Sequence, residues 1–354
     1  MNKRIYPLSG LLLLLLACSL WTSAPTPTSN LFATLSASTP LSANPAAGTT
    51  PASTSTFASI LDTPIPPTIS VPTASSTDKP KGQIVYTCQI FKEQASDQIC
   101  IINADGTGFR RLTIDDNKQH YYPSLSPDGK SVVYVAFNQE NSYEIYEMNL
   151  VTNAVVQLTD KIGNLRAPEI SPDGKFIIFS VWSPNTKKSV IWKMDRDGQH
   201  ADKISRISGW DPTWSPDGKY IFFVSDAEDG IVQLLHVGID GRDMHRVESQ
   251  LAIGGRSDLS PDGQFIVTYS GTPWKHEVYI MDADGLNARV ISPAGGNSQA
   301  PSFSPDGQWV TFTAYYQHPN DENGCEIYVV RVDGTDLRRL TDNNYCDYQP
   351  RWGP

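Results

Sequence analysis

The sequence is poor in several residue types that mark common classes of protein. Its 354 residues include 28 Lys and Arg against 38 Asp and Glu, which gives a formal net charge of −10. An acidic chain without a basic stripe repels phosphate backbones, and this argues against DNA or RNA as partners. The N-terminal apolar run, Leu11 to Leu16, is too short for a helix that crosses a membrane.

The sequence also has little that indicates catalysis or metal binding. It contains no Gly-x-Ser-x-Gly nucleophile elbow, its six histidines are scattered, and its cysteines form no CxxC pair. We therefore expect no catalytic residue, no metal and no cofactor. One enzymatic alternative stays open, a polysaccharide lyase or glycosidase built from Asp211, Arg166 and His120, because loops that are distant in sequence can form one site.

What the sequence does have is an internal repeat. Ser-Pro-Asp-Gly occurs five times, and the successive copies start 45, 44, 45 and 44 residues apart. So regular a period indicates a repeat architecture. Within each copy Pro fixes φ, Asp accepts hydrogen bonds from the backbone ahead of it, and Gly adopts positive φ, which predicts a tight turn. The aspartates of these turns are therefore predicted to shape the backbone and not to catalyse: Asp128, Asp173, Asp217, Asp262 and Asp306.

Strand-like segments flank every copy. Tyr220 to Val224 follows one Ser-Pro-Asp-Gly turn and is rich in β-branched and aromatic residues. A second such segment follows in each repeat and ends in an Asp-Gly turn, as at Asp284-Gly285, before a short closing strand. Each repeat is thus predicted to hold four short antiparallel strands, which is the content of one propeller blade.

The two ends of the repeat region complete each other. Gly82 to Tyr86 matches the second strand of a repeat whose first strand is missing, and Gln349 to Pro354 matches a lone first strand. We therefore predict an all-β fold over residues 81–354. It is a six-bladed β-propeller of four-stranded antiparallel blades, in which the C-terminal strand joins the first and last blades and removes an open sheet edge.

The repeats Pro-x-Trp/Phe-Ser-Pro-Asp-Gly and Ile-Tyr-x-x-x-x-Asp-Gly resemble the WD-like propeller repeats of the TolB family, over about residues 82–354. The resemblance implies the propeller fold. It says less about function, because binding proteins, peptidases and polysaccharide lyases share this repeat. In TolB itself a small α/β domain precedes the propeller, whereas a linker is predicted here.

The N-terminal segment predicts export. Residues 1–18 have a basic start, an apolar run and a small residue before cysteine, and Leu15-Leu16-Ala17-Cys18 resembles a bacterial lipobox. We predict a lipid on Cys18 that anchors the protein to the membrane; an ordinary cleaved signal and an uncleaved anchor are the alternatives, and Cys18→Ser tests them by release from membranes. Residues 19–80, rich in Ser, Thr, Pro and Ala, are predicted to be a disordered tether.

The four other cysteines are predicted to form two disulfides. Cys88 ends a second strand and Cys100 lies in the following one, so they face each other across a hairpin. Cys325 begins a third strand and Cys346 lies in the next inter-blade loop, on the same face of the propeller. We predict the pairs Cys88–Cys100 and Cys325–Cys346, which suit an oxidising compartment; zinc binding is the alternative.

Function in a repeat protein is sought in what does not repeat. The residues just ahead of the repeated Pro vary from blade to blade, and they should ring the mouth of the central channel. Such aromatic, charged and amide side chains suit a binding cup for a sugar or a peptide; a solvated polar rim is the alternative. The candidate binding residues are Tyr121, Tyr122, Arg166, Trp210, Asp211, Arg256, Gln299 and Tyr348.

One residue past the repeated Pro, the first strands carry charged and hydroxyl side chains that should line the channel. Arg351 is predicted to lie between Glu169 and Asp258. Such a network is more typical of structural polarity than of an ion site. Taken together, the sequence predicts a monomeric, membrane-tethered protein outside the cytoplasm that binds a glycan, a peptide or an envelope protein, or serves as a scaffold for one.

Overall fold

The computed structural model describes residues 79–90, 96–137, 142–226, 230–316 and 324–354. Cys18, the signal segment and the tether as far as residue 78 lie outside this part of the chain, as does His318. Within it every regular element is a β-strand, so the all-β class is as predicted. No helix of the length and apolar character needed to cross a membrane occurs among these residues.

The strands are short and follow one another at the spacing of the repeat. In chain order they are β1 (Gln83–Gln89), β2 (Asp97–Asn103), β3 (Arg110–Arg111), β4 (His120–Leu125), β5 (Ser131–Phe137), β6 (Tyr143–Asn149), β7 (Val155–Gln157), β8 (Asn164–Ile170), β9 (Phe176–Ser183), β10 (Lys188–Asp195), β11 (Asp202–Lys203), β12 (Trp210–Trp214), β13 (Tyr220–Ser225), β14 (Gln233–Gly238), β15 (His245–Arg246), β16 (Asp258–Leu259), β17 (Phe265–Thr272), β18 (Lys275–Asp282), β19 (Arg289–Val290), β20 (Asn297–Phe303), β21 (Trp309–Tyr315), β22 (Glu326–Arg331), β23 (Arg338–Arg339) and β24 (Asp347–Gly353).

The Ser-Pro-Asp-Gly turns join the first strand of each repeat to the second. In the turn after β4, the Ser126 hydroxyl donates to Asp128 Oδ1 (2.7 Å), which also accepts from the backbone N–H of Lys130 (3.1 Å). Gly129 has φ of 67°, a conformation that an L side chain rarely adopts. The same serine-to-aspartate bond recurs in the other four copies, so these aspartates serve the turn.

The prediction of six four-stranded blades is wrong. Four antiparallel sheets hold four strands each: β24-β1-β2-β3, β12 to β15, β16 to β19, and β20 to β23. The other eight strands, β4 to β11, form a single sheet, because β6 and β8 pair in parallel at Tyr143 and Asn164. A repeat period indicates how strands are ordered inside one unit. It does not indicate whether the backbones of successive units approach within hydrogen-bond distance.

The C-terminal strand β24 completes the sheet of the N-terminal strands. It pairs antiparallel with β1, with Trp352 opposite Ile84 and Arg351 opposite Val85. The indole N–H of Trp352 also donates to the carbonyl of Lys81 (2.8 Å). Strand β1 is therefore covered on both sides, and no open edge is left at this junction.

Two disulfides lie beside this junction. They join Cys88 to Cys100, with Cα atoms 5.8 Å apart, and Cys325 to Cys346, with Cα atoms 4.4 Å apart. These are the pairings that the sequence predicts. Because each disulfide closes a loop in the unfolded chain, both stabilise the folded state where the two ends of the domain meet.

The apolar core lies in layers between neighbouring sheets. Phe303 and Phe312 of one sheet pack with Phe265 and Val278 of the sheet before it. Ile84 and Trp352 of the closing sheet pack likewise against Trp309. Each strand presents alternate residues to two such layers, which explains why second strands such as β13 are apolar almost throughout.

Strand β24 begins with Asp347, a buried carboxyl group that makes stability depend on pH. Burial raises its pKa to about 7 from an ordinary 3.8; the charge of Glu326 adds to the rise, and a hydrogen bond from Asn343 opposes it. Between these values the folded chain keeps a proton that the unfolded chain has lost, so rising pH favours unfolding. We expect Asp347 to lower the free energy of unfolding by up to about 3–4 kcal/mol between pH 4 and pH 7.

Urea unfolding at a series of pH values measures this effect. Asp347→Asn should gain stability relative to the wild type as the pH rises from 4 to 7, and the gain should then level off. Asp342→Asn is the matched control, since the Asp342 side chain is 83% exposed and pairs with Arg339 at the surface. Parallel profiles for Asp347→Asn and the wild type would rule out this role.

Candidate binding site at the channel mouth

The side chains at the channel mouth project from a repeated backbone irregularity. In five first strands the residue before the repeated Pro has positive φ, for example 55° at Tyr122 and 51° at Asp211. The register between first and second strands shifts at these positions, as between Tyr121 and Ser124. A non-glycine residue in this region costs on the order of 1–3 kcal/mol, and such residues cluster at functional sites. The five residues are Tyr122, Ala167, Asp211, Ala300 and Gln349.

The first strand β16 departs from this pattern. Ser257 stands where the other first strands have Pro, and Gly254 and Gly255 precede Arg256. A Cβ atom on Gly255 would lie 2.3 Å from the hydroxyl oxygen of Tyr269, so the ring packs directly on the glycine backbone. The Tyr269 hydroxyl donates to the carbonyl of Gly254 (2.9 Å). Arg256 follows these two glycines in the sequence, and its side chain is buried.

Five of the eight predicted residues line one cavity of about 240 Å³, which we call the inner pocket. Four of them lie on the first strands of four different sheets, β4, β12, β20 and β24, and Arg256 just precedes the first strand β16 of a fifth sheet. Four further lining residues were not predicted as binding residues: Tyr269, Ala300, Thr313 and Gln349. The five predicted ones are Tyr122, Asp211, Arg256, Gln299 and Tyr348.

A second cavity of about 330 Å³, the rim pocket, adjoins the first. Tyr122 and Asp211 line both cavities, and Arg166 and Trp210 line the rim pocket as predicted members of the mouth. The guanidinium carbon of Arg166 lies 5.5 Å from the centre of the Trp182 ring, a cation–π distance. We call the inner and rim pockets together the cup.

Tyr121 and His120 take other positions. The Tyr121 ring lies beside those of Tyr122 and Tyr143, and its hydroxyl donates to Asp97 (3.0 Å). His120 is buried with its ring 5.7 Å from that of Tyr134, and burial lowers its pKa to about 4. His120 therefore packs into the core, whereas the other two members of the enzymatic alternative line the rim pocket.

Among the residues that the structure describes, Asp211 is the carboxyl group that lines both pockets of the cup. Burial raises the pKa of Asp211, and the charges of Arg256 and Arg166 oppose that rise. Burial also raises the pKa of Tyr122, so its hydroxyl stays protonated. The cup therefore offers a carboxyl group, guanidinium groups and phenol hydroxyls around aromatic surface.

Below the cup, the structure places Arg351 between Glu169 and Asp258. Its guanidinium forms an ion pair with Glu169 and lies 3.4 Å from Asp258 Oδ2. Arg256 reaches down from the mouth to the same network, with Nη2 3.2 Å from Glu169 Oε2. The sequence predicts Arg256 at the mouth. Nothing in the repeat pattern indicates that its side chain also contacts Glu169 in the channel.

The channel side chains also tie three of the first strands to the next first strand along the chain, namely β8 to β12, β16 to β20 and β20 to β24. Glu169 accepts from the backbone N–H of Trp214 (3.2 Å), and Asp258 accepts from that of Phe303 (2.9 Å). The Ser302 hydroxyl accepts in the same way from the N–H of Trp352 (3.2 Å). Because every bond crosses from one repeat to the following one, the polar axis has a structural role. Within the described ranges no group of three or more His, Cys, Asp or Glu side chains is placed to hold a metal ion.

A third cavity of about 700 Å³ was not predicted. Trp274 lines it on the turn between β17 and β18, where it is 80% exposed and has φ of 66°. Asn297, also in its lining, contacts both His276 (2.7 Å) and Gln299 of the inner pocket (3.1 Å). The feature that could have indicated this cavity from the sequence is an exposed tryptophan on a hairpin between two strands.

These features define a β-propeller protein with a polar, aromatic cup at its channel mouth. The family model described as the TolB beta propeller domain matches residues 79–354. The chain belongs to this family.

Its relatives include two curated proteins and a solved structure. An uncharacterized protein of Agrobacterium fabrum is 26% identical over 224 residues, which are 61% of this chain and 71% of the relative. The Tol-Pal system protein TolB of Wolinella succinogenes is 26% identical over 237 residues, 63% of this chain and 54% of the relative. The crystal structure of TolB from Acinetobacter baumannii superposes with a TM-score of 0.67 at 25% identity and covers 77% of this chain and 67% of that one. This chain thus spans about half the length of the Wolinella protein.

Proposed function

We propose that this protein is an exported binding or scaffold protein that holds a segment of an envelope protein in its cup. The observation that carries the proposal is the convergence of Tyr122, Asp211 and Arg256 in one cavity, with the first two on backbone of positive φ. The positive φ recurs in five repeats and belongs to the scaffold, whereas the side chains that it carries differ from repeat to repeat, and this variation on a rigid scaffold favours a binding role over a merely solvated rim.

Membership of the TolB propeller family supports a protein as the partner, because two of the relatives carry the TolB name and one of these is assigned to the Tol-Pal system. The two disulfides support a place outside the cytoplasm. The sequence around Cys18 supports a lipid anchor as part of the same proposal. No catalytic step is proposed.

Site-specific photocrosslinking in intact cells tests the proposal. A benzophenone amino acid at Trp182, which lines the rim pocket, should form adducts with an envelope protein that fade when the cup residue Arg166 is replaced by alanine. The control position is Tyr220, which is exposed and begins β13 after a Ser-Pro-Asp-Gly turn, at the opposite end of the strands. Adducts with a polysaccharide alone, or equal adducts at both positions, would contradict a protein-binding cup.

A further inference from the structure

Two buried polar side chains that line the inner pocket have donor or acceptor atoms without a hydrogen-bond partner among the described residues. Arg256 is 4% exposed; its Nη2 contacts Glu169, but among the described residues its Nε and Nη1 have no hydrogen-bond partner. Thr313 is 8% exposed, and its Oγ1 likewise has no partner within the described part of the chain. Both residues line the same cavity. Since buried polar groups without partners cost stability, two of them in one cavity point to a ligand that pairs with them.

The chemistry of these groups indicates what such a ligand presents. The guanidinium can only donate hydrogen bonds, and the threonine hydroxyl can donate as well as accept. A guanidinium is suited to a carboxylate, which it binds through charge-assisted hydrogen bonds. The ligand group closest to Arg256 and Thr313 is therefore an anion with at least two acceptor atoms.

The position of Asp211 limits which anionic group the ligand can carry. Its carboxyl lines the same cavity and lies against Gly255, where a Cβ atom would be 3.2 Å from Oδ2. A second negative group repels a doubly charged anion such as a phosphate more strongly than a carboxylate. The Asp211 carboxyl can instead accept an N–H donor of the ligand. The last residue of a peptide has both groups together, a carboxylate and a backbone N–H.

The cavity also suits one peptide residue by its size and walls. Its volume is about 240 Å³, and it shares Tyr122 and Asp211 with the rim pocket. Tyr269 and Tyr348 contribute aromatic side chains to its lining. The Tyr269 hydroxyl already donates to the carbonyl of Gly254, so this side chain is held in place.

We propose that the inner pocket binds the C-terminal residue of a peptide, with its carboxylate on Arg256 and Thr313 and its backbone N–H on Asp211. This rests on the proposed function, and it adds which end of the partner enters the cup. The carboxylate of an internal Asp or Glu side chain has the same chemistry, and the test separates the two sources.

The test uses the full chain and two arrays of random hexapeptides, identical except that one has free and the other amidated C-termini. We expect binding to the free array and a loss of at least about tenfold on amidation. The best peptide is then titrated calorimetrically into the wild type and into two conservative variants, Arg256→Lys and Thr313→Val. Each variant should weaken binding by about fivefold or more.

Thr313→Val separates a ligand contact from a structural role. Valine has nearly the shape of threonine and removes a buried hydroxyl that lacks a partner, so the thermal midpoint should stay the same or rise. A purely structural Thr313 would give a change in stability with unchanged peptide affinity, which is the reverse of the expected pattern. Thr311→Val is the matched control, because Thr311 is buried on the same strand and its hydroxyl donates to the carbonyl of Tyr328 (3.0 Å).

Other outcomes overturn the inference in distinguishable ways. Equal affinity of free and amidated peptides, with loss on Glu→Gln or Asp→Asn changes inside the peptide, would assign the pocket to a side-chain carboxylate. Binding that neither variant affects, together with cup-specific crosslinks at position 182, would overturn the inference and leave the proposed function standing. Binding of oligogalacturonate, an acidic polysaccharide fragment, to the inner pocket, with no peptide binding in either array, would overturn both this inference and the proposed function.

Discussion

Replacing Glu169 with glutamine is expected to lower the free energy of unfolding by about 3–5 kcal/mol. Glu169 forms ion pairs with both Arg351 and Arg256, whose side chains are almost fully buried. Glutamine keeps the size of the side chain but removes its charge. Arg256 then loses its ion pair, and among the described residues Asp258 is the carboxylate that remains in contact with Arg351. The loss is large because a buried charge without a partner cannot regain the solvation that it had in the unfolded chain.

Glu147→Gln is the matched control for this prediction. Glu147 also forms an ion pair with an arginine, Arg196, but both side chains are partly exposed to solvent. Water screens such a pair, so its loss should cost about 1 kcal/mol or less. Urea unfolding of the two variants under identical conditions gives the comparison. If both variants lose the same amount, the buried network does not stabilise the channel in the way we infer.

The ion pair of Glu169 and Arg256 also connects the channel with the cup. Arg256 uses one nitrogen for Glu169, and in the described part of the chain its other two nitrogens have no hydrogen-bond partner. Glu169 therefore acts as a positioning residue for the guanidinium, as well as a stabilising one. This arrangement lets a structural network hold a binding group in place without occupying all of its donors.

The strand pattern could be predicted from the sequence because turn chemistry is local. The five Ser-Pro-Asp-Gly copies define where each first strand ends and each second strand begins, and β9, for example, starts at Phe176, two residues after its turn. The disulfides could be predicted for a related reason. Cys88 and Cys100 are close in sequence on either side of one hairpin. The number of separate sheets could not, because the pairing of Tyr143 with Asn164 depends on contacts between repeats.

Several residues of the inner pocket could not be predicted from the sequence, for a different reason. Variation just ahead of the repeated Pro position indicates Tyr122, Asp211 and Arg256. Thr313 and Tyr269 lie on second strands, where they look like ordinary members of an alternating pattern. Nothing in that pattern distinguishes them from other residues of the second strands, and neither positive φ nor a β-bulge at a non-glycine residue has a strong sequence signal.

Deleting β24, residues 347–354, is expected to abolish the cooperative unfolding transition of the domain. The deletion exposes the edge of β1, removes the buried Trp352, and leaves Glu169 and Asp258 without Arg351. Loss of a buried tryptophan alone costs about 3–5 kcal/mol. Glu169 keeps its ion pair with Arg256, but Asp258 loses its ion pair with Arg351, and a buried carboxylate that loses its partner costs several kcal/mol more. Together these losses rival the whole stability of a typical domain, about 5–15 kcal/mol.

A synthetic peptide of residues 347–354, added to the truncated chain, distinguishes the loss of a closing strand from general damage. The truncation keeps Cys346, so the disulfide to Cys325 can still form. The peptide should restore a cooperative thermal transition whose midpoint rises with peptide concentration, since it binds only the folded chain. A peptide carrying Arg351→Gln should restore it much less, and a scrambled peptide not at all. A truncated chain that unfolds at the wild-type midpoint without peptide would show that β24 does not contribute to the stability of the domain. Rescue that depends on Arg351 would instead show that the strand supplies both the sheet edge and the central charge of the channel.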